Sequence, residues 1–373
     1  GVNVATLAKR NTKKFLSLWD TLGVHYDGWA ETTADDHKHC VQAILRDLHE
    51  KGQLYKKTTT LSYSVRQEQY LTDKDRTSEG NFGPEWGEVV ELEEENWWFK
   101  LSEHAAWLKG AVESDTFKIL PAFRKSEVTN AIERAADTDL CISRPKARLH
   151  WGIEIPFDTD FVTYVWFDAL INYISFAGYR KAGGSTLPDF DQLWPADAHV
   201  IGKDILVPAH SIYWPCMLHA MGFADDQMPT LLVHGWWNSK SQSGEEEKMS
   251  KSLGNVVDPA ELAQKFGVDA LRYYLVRDIT TGKDSAFDLS RLIMLFNTEL
   301  ANDLGNLLNR SLTLTKRGAL RVTDYDDGQT QALRESLAES VSAYQTAMDH
   351  DEVSVALGAI NAHVVHCNGF LER

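Results

Sequence analysis

Apolar residues stand at Val4, Leu7, Phe15, Leu16, Trp19 and Leu22, broadly on the period of a helix, and Gly23 supplies a stop, which predicts one helix over residues 3–22. A second helix is predicted over 33–48, where the Thr33-Ala34-Asp35-Asp36 opening offers side-chain oxygens to the free backbone donors of a first turn. From 55 to 91 the sequence turns to Thr, Ser, Gly and acidic residues without long periodic runs, predicting a small inserted module of short strands and turns. Helices are predicted again at 97–108 and 125–135, and the insertion is expected to close near Ile142.

Beyond this point the pattern alternates. Residues 161–167 form a strand-like apolar run feeding a helix at 168–176; 199–202 is a short strand followed by a helix around 210–221; 231–237 is a third strand. Strand and helix in alternation predict a parallel sheet with crossovers, whose ligands bind beyond the carboxyl ends of the strands. Trp166, Asp204 and the stretch after Trp237 stand there. Asp258-Pro259 with Glu261 predicts a capped helix that Gly267 ends, and Asp269 is expected to cap the next, over 270–276. From Leu289 the strands disappear, and leucines at 292, 295, 300, 304, 307, 308 and 312, then two further periodic stretches at 333–348 and 353–370, predict a helical bundle.

A length of 373 residues predicts two or three domains, and 43% hydrophobic with 25% charged residues excludes a disordered or fibrous chain. Lys and Arg number 38 against 54 Asp and Glu, a net charge of -16, which argues against an indiscriminate nucleic-acid binder and against DNA as a partner. Contact with RNA must then come from a local patch or from the partner's shape. The four cysteines lie far apart with no Cys-x-x-Cys pair and read as free thiols of a reducing compartment. No run approaches the ~20 apolar residues of a membrane helix. The chain starts on helix-like sequence without a methionine, from which we expect the natural protein to begin earlier.

Three clusters carry candidate chemistry. Lys248-Met249-Ser250-Lys251-Ser252, followed by Leu253-Gly254-Asn255, comes after a strand and a Ser-Gln-Ser-Gly-Glu-Glu-Glu loop. Expulsion of pyrophosphate builds negative charge that cations on a movable loop can meet, and the Ser250 and Ser252 hydroxyls can add phosphate contacts. An isolated Lys-x-x-Lys would be an ordinary solvated turn; five consecutive residues make the specific reading much the stronger. The second cluster is Ile201-Gly202-Lys203-Asp204-Ile205 with His210 and Trp214 beyond. Gly202 admits a ligand to the backbone, and Asp204 can accept from ribose hydroxyls or an ammonium group, although Gly-Lys-Asp alone is usually a plain strand-to-turn transition. The third, Tyr164-Val165-Trp166-Phe167-Asp168-Ala169 with Tyr173, has core packing as its default. Its place at a strand's carboxyl end favours a pocket, in which ring edges suit a thioether by ~0.3 to 1.5 kcal/mol.

The signature loop resembles that of the class I aminoacyl-tRNA synthetases, and the three clusters together, in this order and over nearly the whole chain, resemble the methionyl-tRNA synthetases. The quoted stretches are Tyr164 to Ala169 with Tyr173, His199 to Ile205, His210 to Pro215, and Val233-His234-Gly235 before the loop. The resemblance implies an α/β fold: a Rossmann-type parallel sheet with a small inserted α+β module and a C-terminal α-helical bundle. Domains are expected at 1–54 and 142–237 (two parts of the catalytic domain), 55–141 (insertion), 238–288 (loop-bearing linker) and 289–373 (part of an anticodon-binding bundle). Trp166, Ala169, Tyr173, Ile205, His210 and Trp214 would line a methionine pocket. Gly202, Asp204 and Trp237 would hold adenosine, Lys248, Ser250, Lys251 and Ser252 would meet ATP phosphates, with Lys248 and Lys251 catalytic, and Asn306 and Arg310 would read the anticodon. ATP with magnesium, methionine and tRNA(Met) are the implied partners, with no membrane and a cytoplasmic location.

The sequence also departs from that family. His-x-Gly-His, a signature of the first half-fold, is absent, which we take to reflect an N-terminal truncation, with the C-terminus cut as well. Where many relatives carry Tyr-Cys-x-x-Cys-Glu of a zinc knuckle, this chain reads Tyr63-Ser64-Val65-Arg66-Gln67-Glu68, so a metal-free insertion is expected. Leu170 stands where proline is frequent, and Val207-Pro208-Ala209 lengthens the path to His210. A synthetase for cysteine or a branched-chain amino acid, or a non-catalytic tRNA-binding paralogue, are the rival readings.

Overall fold

Helix α1 (Val4–Thr21) opens at Asn3, whose side chain accepts from the backbone nitrogens of Ala5 and Thr6 at 2.9 and 3.3 Å. It ends where Gly23 takes a φ of +63°, a conformation open to glycine without steric cost. The computed structural model describes residues 3–66, 69–71, 76–77, 79–240, 246–249, 256–318 and 328–372. Helix α2 (Asp35–Glu50) starts later than expected, with Ala34 at its N-cap and no side chain capping it. Asp35 and Asp36 instead put negative charge in the first turn, where the helix dipole favours it.

The region expected to be an insertion departs most from its predicted elements. Strands β1 (Leu54–Ser64), β2 (Gln69–Leu71) and β3 (Val89–Phe99) follow α2, and β1 and β3 pair antiparallel along their full length, from Leu54 opposite Phe99 to Ser64 opposite Val89. The short strands and the helix predicted from residue 97 give way to this long ribbon. Its acidic run, 91–95, is held in a strand because basic and hydroxyl residues answer it. Thr58, Thr59 and Thr60 stand opposite Glu95, Glu94 and Glu93, and Lys56 lies 3.2 Å from the Glu95 carboxylate. Glu94 is buried, but it accepts from Asn96 at 2.7 Å and pairs with Arg148 at 3.2 Å. Helix resumes only at α3 (Ala105–Glu113).

Next come β4 (Ile119–Leu120), α4 (Lys125–Ala135), β5 (Leu140–Cys141), β6 (Ser143–Pro145), β7 (Glu154–Ile155), β8 (Asp158–Thr163), α5 (Val165–Ser175), β9 (Ala198–Gly202), α6 (Trp214–Met221) and β10 (Thr230–His234). The apolar run at 161–167 therefore splits between strand and helix, with Phe167 buried on α5; such a run fits either element. The chain continues through β11 (Trp237–Lys240), β12 (Glu246–Lys248), α7 (Pro259–Phe266), α8 (Val268–Arg277), β13 (Ser285–Ala286), α9 (Leu289–Leu295), α10 (Gly305–Arg317), α11 (Gly328–Asp349) and α12 (Val353–Phe370). Asp258 caps α7, accepting from Ala260 N at 2.8 Å. Gly267, not Asp269, occupies the N-cap of α8, and Asp269 lies in its first turn.

The sheets have the strand orders β2–β1–β3–β5, β6–β8–β7, β12–β11–β13 and β4–β10–β9, giving an α/β fold with a helical C-terminal region. The chain divides into two units: Gly1–Asp27, Val200–Lys203 and Leu232–Arg373 in the first, Gly28–His199 and Asp204–Leu231 in the second. The second buries Cys40, Val41, Ile44, Leu45 and Leu48 of α2 and Phe167, Leu170, Ile171 and Ile174 of α5. Leu170, where proline was noted as frequent, is thus a core residue. Each such leucine or isoleucine contributes roughly 1.5 to 3 kcal/mol of burial. The first unit is built on Ala263, Leu271, Tyr274, Leu292 and Leu295, with Leu22, Trp237 and Phe287 packed against them. Among the described residues no helix is long and apolar enough to cross a membrane.

Candidate active site

Trp166, Ala169 and Tyr173 lie three and four residues apart on α5 and so share one helical face. The chain approaches that face a second time after β9. There Val207 is extended (φ -111°, ψ 129°), as a residue before proline prefers, and interrupts a wide helical turn, Leu206–Tyr213, that leads into α6. This is how the lengthened Val207-Pro208-Ala209 path brings His210 back to Tyr173.

The polar atoms there form one directed chain. The Ile205 carbonyl can only accept, so His210 donates to it from Nδ1 at 2.8 Å. The neutral ring then presents a bare Nε2, which accepts the Tyr173 hydroxyl proton at 2.7 Å. Burial holds the His210 pKa below the usual histidine range, against the opposing effect of the Ile205 hydrogen bond, and burial raises that of Tyr173. Both stay neutral near pH 7, with the tyrosine proton committed to the histidine.

A second histidine supports the first. The His199 ring stacks on Tyr173 with centroids 4.1 Å apart and planes 17° from parallel, and its Nε2 accepts from Trp214 Nε1 at 3.1 Å. Burial, and then the nearby His210, push its pKa down to about 4. Trp214 is fully buried, and Trp194 stands edge-on to it at 6.5 Å and 6.0 Å from His199. Tyr173, His199, His210 and Trp214 therefore form a neutral aromatic cluster; Trp166, Ala169 and Ile205 are half-buried, and Asp204 is exposed beside Ile205. Such a cluster suits an uncharged, polarizable side chain. Sequence reasoning assigned His199 and Trp194 no role. The alternation on β9, where His199 and Ile201 are buried between exposed Ala198 and Val200, was the available signal for His199.

Within the first unit, Gly202 ends β9 and Lys203 pairs with Asp284 while its ammonium lies 4.5 Å from the Trp236 ring centre. Asp284 also accepts from Trp236 N at 2.9 Å. The backbone runs so close here that a Cβ on Gly235 would lie 2.1 Å from the Lys283 carbonyl, which explains the glycine. Trp237 is half-buried, its ring 5.4 Å from Tyr274 and 6.5 Å from Phe287, against the core of this unit. Lys248 ends β12 with its backbone opposite Asn238. Ser250, Lys251 and Ser252 lie outside the described residues.

Asn306 is exposed on α10, whereas Arg310, one turn on, is engaged within the fold. Its guanidinium donates to the carbonyls of Leu371 at 2.8 Å and Asn368 at 3.3 Å, and to Glu372 at 3.3 Å. It satisfies acceptors left open at the end of α12. The structure thus does not present the two as an equally free pair.

The strand-helix alternation, the four sheet orders and the helical C-terminal region define the class as α/β. The family described as "tRNA synthetases class I (M)" matches residues 1–81 and 86–312. A methionine–tRNA ligase of Listeria monocytogenes is 36% identical over 380 residues, covering 96% of this chain and 54% of that protein. One of Brucella suis is 35% identical, covering 99% and 70%. A crystal structure of Mycobacterium tuberculosis methionyl-tRNA synthetase bound by methionyl-adenylate superposes with a TM-score of 0.84 at 31% identity, covering 100% of this chain and 72% of that one. The chain belongs to the class I tRNA synthetases of the methionine type. It spans about half the length of curated relatives such as the Listeria enzyme, 54%.

Proposed function

We propose that the chain is the portion of a cytoplasmic methionine–tRNA ligase that selects methionine, activates it with ATP and passes it to tRNA(Met). The observation that carries this reading is the Tyr173–His210–Ile205 hydrogen-bond chain, backed by His199 and Trp214. It offers an incoming side chain aromatic faces and a hydroxyl whose proton is already spent. A thioether asks for no strong donor and gains from ring contact, whereas a charged side chain would lose its hydration here without compensation.

In this reading Trp166, Ala169, Tyr173, Ile205, His210 and Trp214 hold methionine, and Gly202, Asp204 and Trp237 hold adenosine. One carboxylate oxygen of methionine bonds to the α-phosphorus of ATP as the bond to pyrophosphate breaks, leaving methionyl-adenylate. Lys248 and Lys251, with Ser250 and Ser252 beside them, receive the charge gathering on pyrophosphate, which magnesium carried by the ATP phosphates shares. The terminal ribose hydroxyl of tRNA then bonds to the carbonyl carbon, releasing AMP, and Asn306 and Arg310 take part on the anticodon side. The inserted module needs no zinc in this reading; Ser64, standing in the knuckle position, donates to the Trp86 carbonyl at 2.5 Å.

Tryptophan emission tests the pocket directly. Titrating the chain with methionine should change the emission and saturate, with cysteine and leucine at least about 10-fold weaker. A response to leucine or cysteine equal to that of methionine would refute the assignment.

A further inference from the structure

The acidic chain raises a question of placement: a net charge of -16 leaves RNA phosphates unattractive to most of the surface, so cationic contacts must be concentrated somewhere. Many cations of this fold are neutralised internally: Lys56, Lys109, Arg124, Lys125, Arg148, Lys203, Arg277 and Arg291 each pair with a carboxylate within 4.0 Å. Lys9, Arg10, Lys13 and Lys14 of α1 do not. None of these has an ion-pair partner among the described residues, and all are exposed. Asp20 is the only acidic residue on that helix.

Helical spacing gathers them. Arg10, Lys14, Ser17 and Thr21 follow one another at intervals of four, three and four residues, with Lys13 three after Arg10, on the side of α1 opposite Val4, Ala8, Phe15 and Trp19. They line an open groove of about 450 Å³ together with Leu18 and Ala260 of α7, within the first unit. The hydroxyl of Thr21 is turned to the Ser17 carbonyl at 2.9 Å, while the Ser17 hydroxyl has no intramolecular partner among the described residues. The groove is therefore open, cationic and supplied with a hydroxyl that has no partner among the described residues.

We propose that this face of α1 is a contact surface for the phosphate backbone of RNA. The choice of RNA rests on the proposed reading of the chain as a tRNA ligase; the cationic face itself does not. A bilayer surface is the poorer partner, because a helix lying in one must bury its apolar side, and part of that side is already taken: Trp19 is turned to Tyr26, 5.5 Å away, and Leu22, at the end of the helix, is packed on the core, which leaves Val4, Leu7 and Phe15 exposed. A run of Arg10, Lys13 and Lys14 spans about 6 Å along the helix axis, so the cations can engage adjoining phosphates without reading bases.

The test is fluorescence polarisation of a labelled tRNA(Met) transcript with the whole chain, from about 50 to 200 mM salt. Arg10→Gln/Lys13→Gln/Lys14→Gln should weaken binding on the order of 10- to 100-fold at the lowest salt and flatten the slope of log K against log salt by about 2 to 3. The charge-preserving Lys13→Arg/Lys14→Arg should bind as the unmodified chain does. All substituted side chains are exposed, and circular dichroism verifies that the helix persists. No RNA binding by the unmodified chain, or an unchanged affinity and slope in the glutamine variant, would overturn the proposal. So would loss of binding to phosphatidylserine vesicles with RNA binding intact. The methionine titration, run on the same variants, reports separately on the ligase reading: its failure counts against that reading and leaves the RNA result to stand.

Discussion

His199 does two jobs with one ring: its face supports Tyr173, and its Nε2 accepts from buried Trp214. Its pKa of about 4 in the fold lies below its ordinary 6.5, so the folded state favours the neutral form. Stability from this group is fully present above about pH 6.5 and is lost as pH falls from there toward 4, because the unfolded chain binds the proton first. His210, His104 and His219 are shifted down by burial as well, so each contributes a loss of the same sign as pH falls below about 6.5. The melting temperature should thus fall between about pH 6.5 and 4, the His199 share being of order 3 kcal/mol. His199→Phe should shrink that acid loss while costing about 1 to 3 kcal/mol at pH 7.5, since the Trp214 N–H is left buried without an acceptor. Melting curves across pH check both; an acid limb unchanged in the variant would remove His199 from the account. From the residues alone Tyr173 fell in one cluster and His210 and Trp214 in another, and only the family resemblance joined them; the Tyr173–His210 hydrogen bond shows the two clusters meeting. His199 was harder to read because a stacking partner is set by the crossing of β9 and α5, which no local pattern encodes. Asp284 was unreadable for the same reason, meeting Lys203 across 81 positions of sequence.

At the scale of elements, local chemistry was legible where it decides the outcome alone. Asp258 before Pro259 caps α7 as its sequence implies, and Asp258→Ala should cost about 1 kcal/mol, read as a shift in the denaturant midpoint at constant slope. A change below a few tenths would mean that the cap is replaced by water. Where pairing decides, the sequence misled. The stretch up to residue 91 reads as short strands and turns until β1 and β3 are paired along their full length, and the apolar residues Trp97 to Phe99 look helical until β1 claims them. The boundary between β8 and α5 fell inside an apolar run for the same reason: hydrophobicity marks burial, not the element that is buried. Arg310 shows the limit for function at this scale, since a spacing that puts Asn306 and Arg310 on one face says nothing about the α12 carbonyls waiting for the guanidinium.

At the scale of the molecule, the alternation of strands and helices and the switch to helices after Leu289 made the α/β class and the helical C-terminal region legible. Net charge alone spoke only against broad nucleic-acid affinity; the ion pairs of the fold are needed to see which cations remain uncommitted. The central claim is selection of methionine for activation, and amino-acid-dependent exchange of labelled pyrophosphate into ATP by the full-length protein tests it most directly. The account predicts exchange with methionine at least about 100-fold faster, per enzyme and at equal concentration, than with cysteine or leucine. Exchange driven by cysteine or leucine as well as by methionine would contradict it.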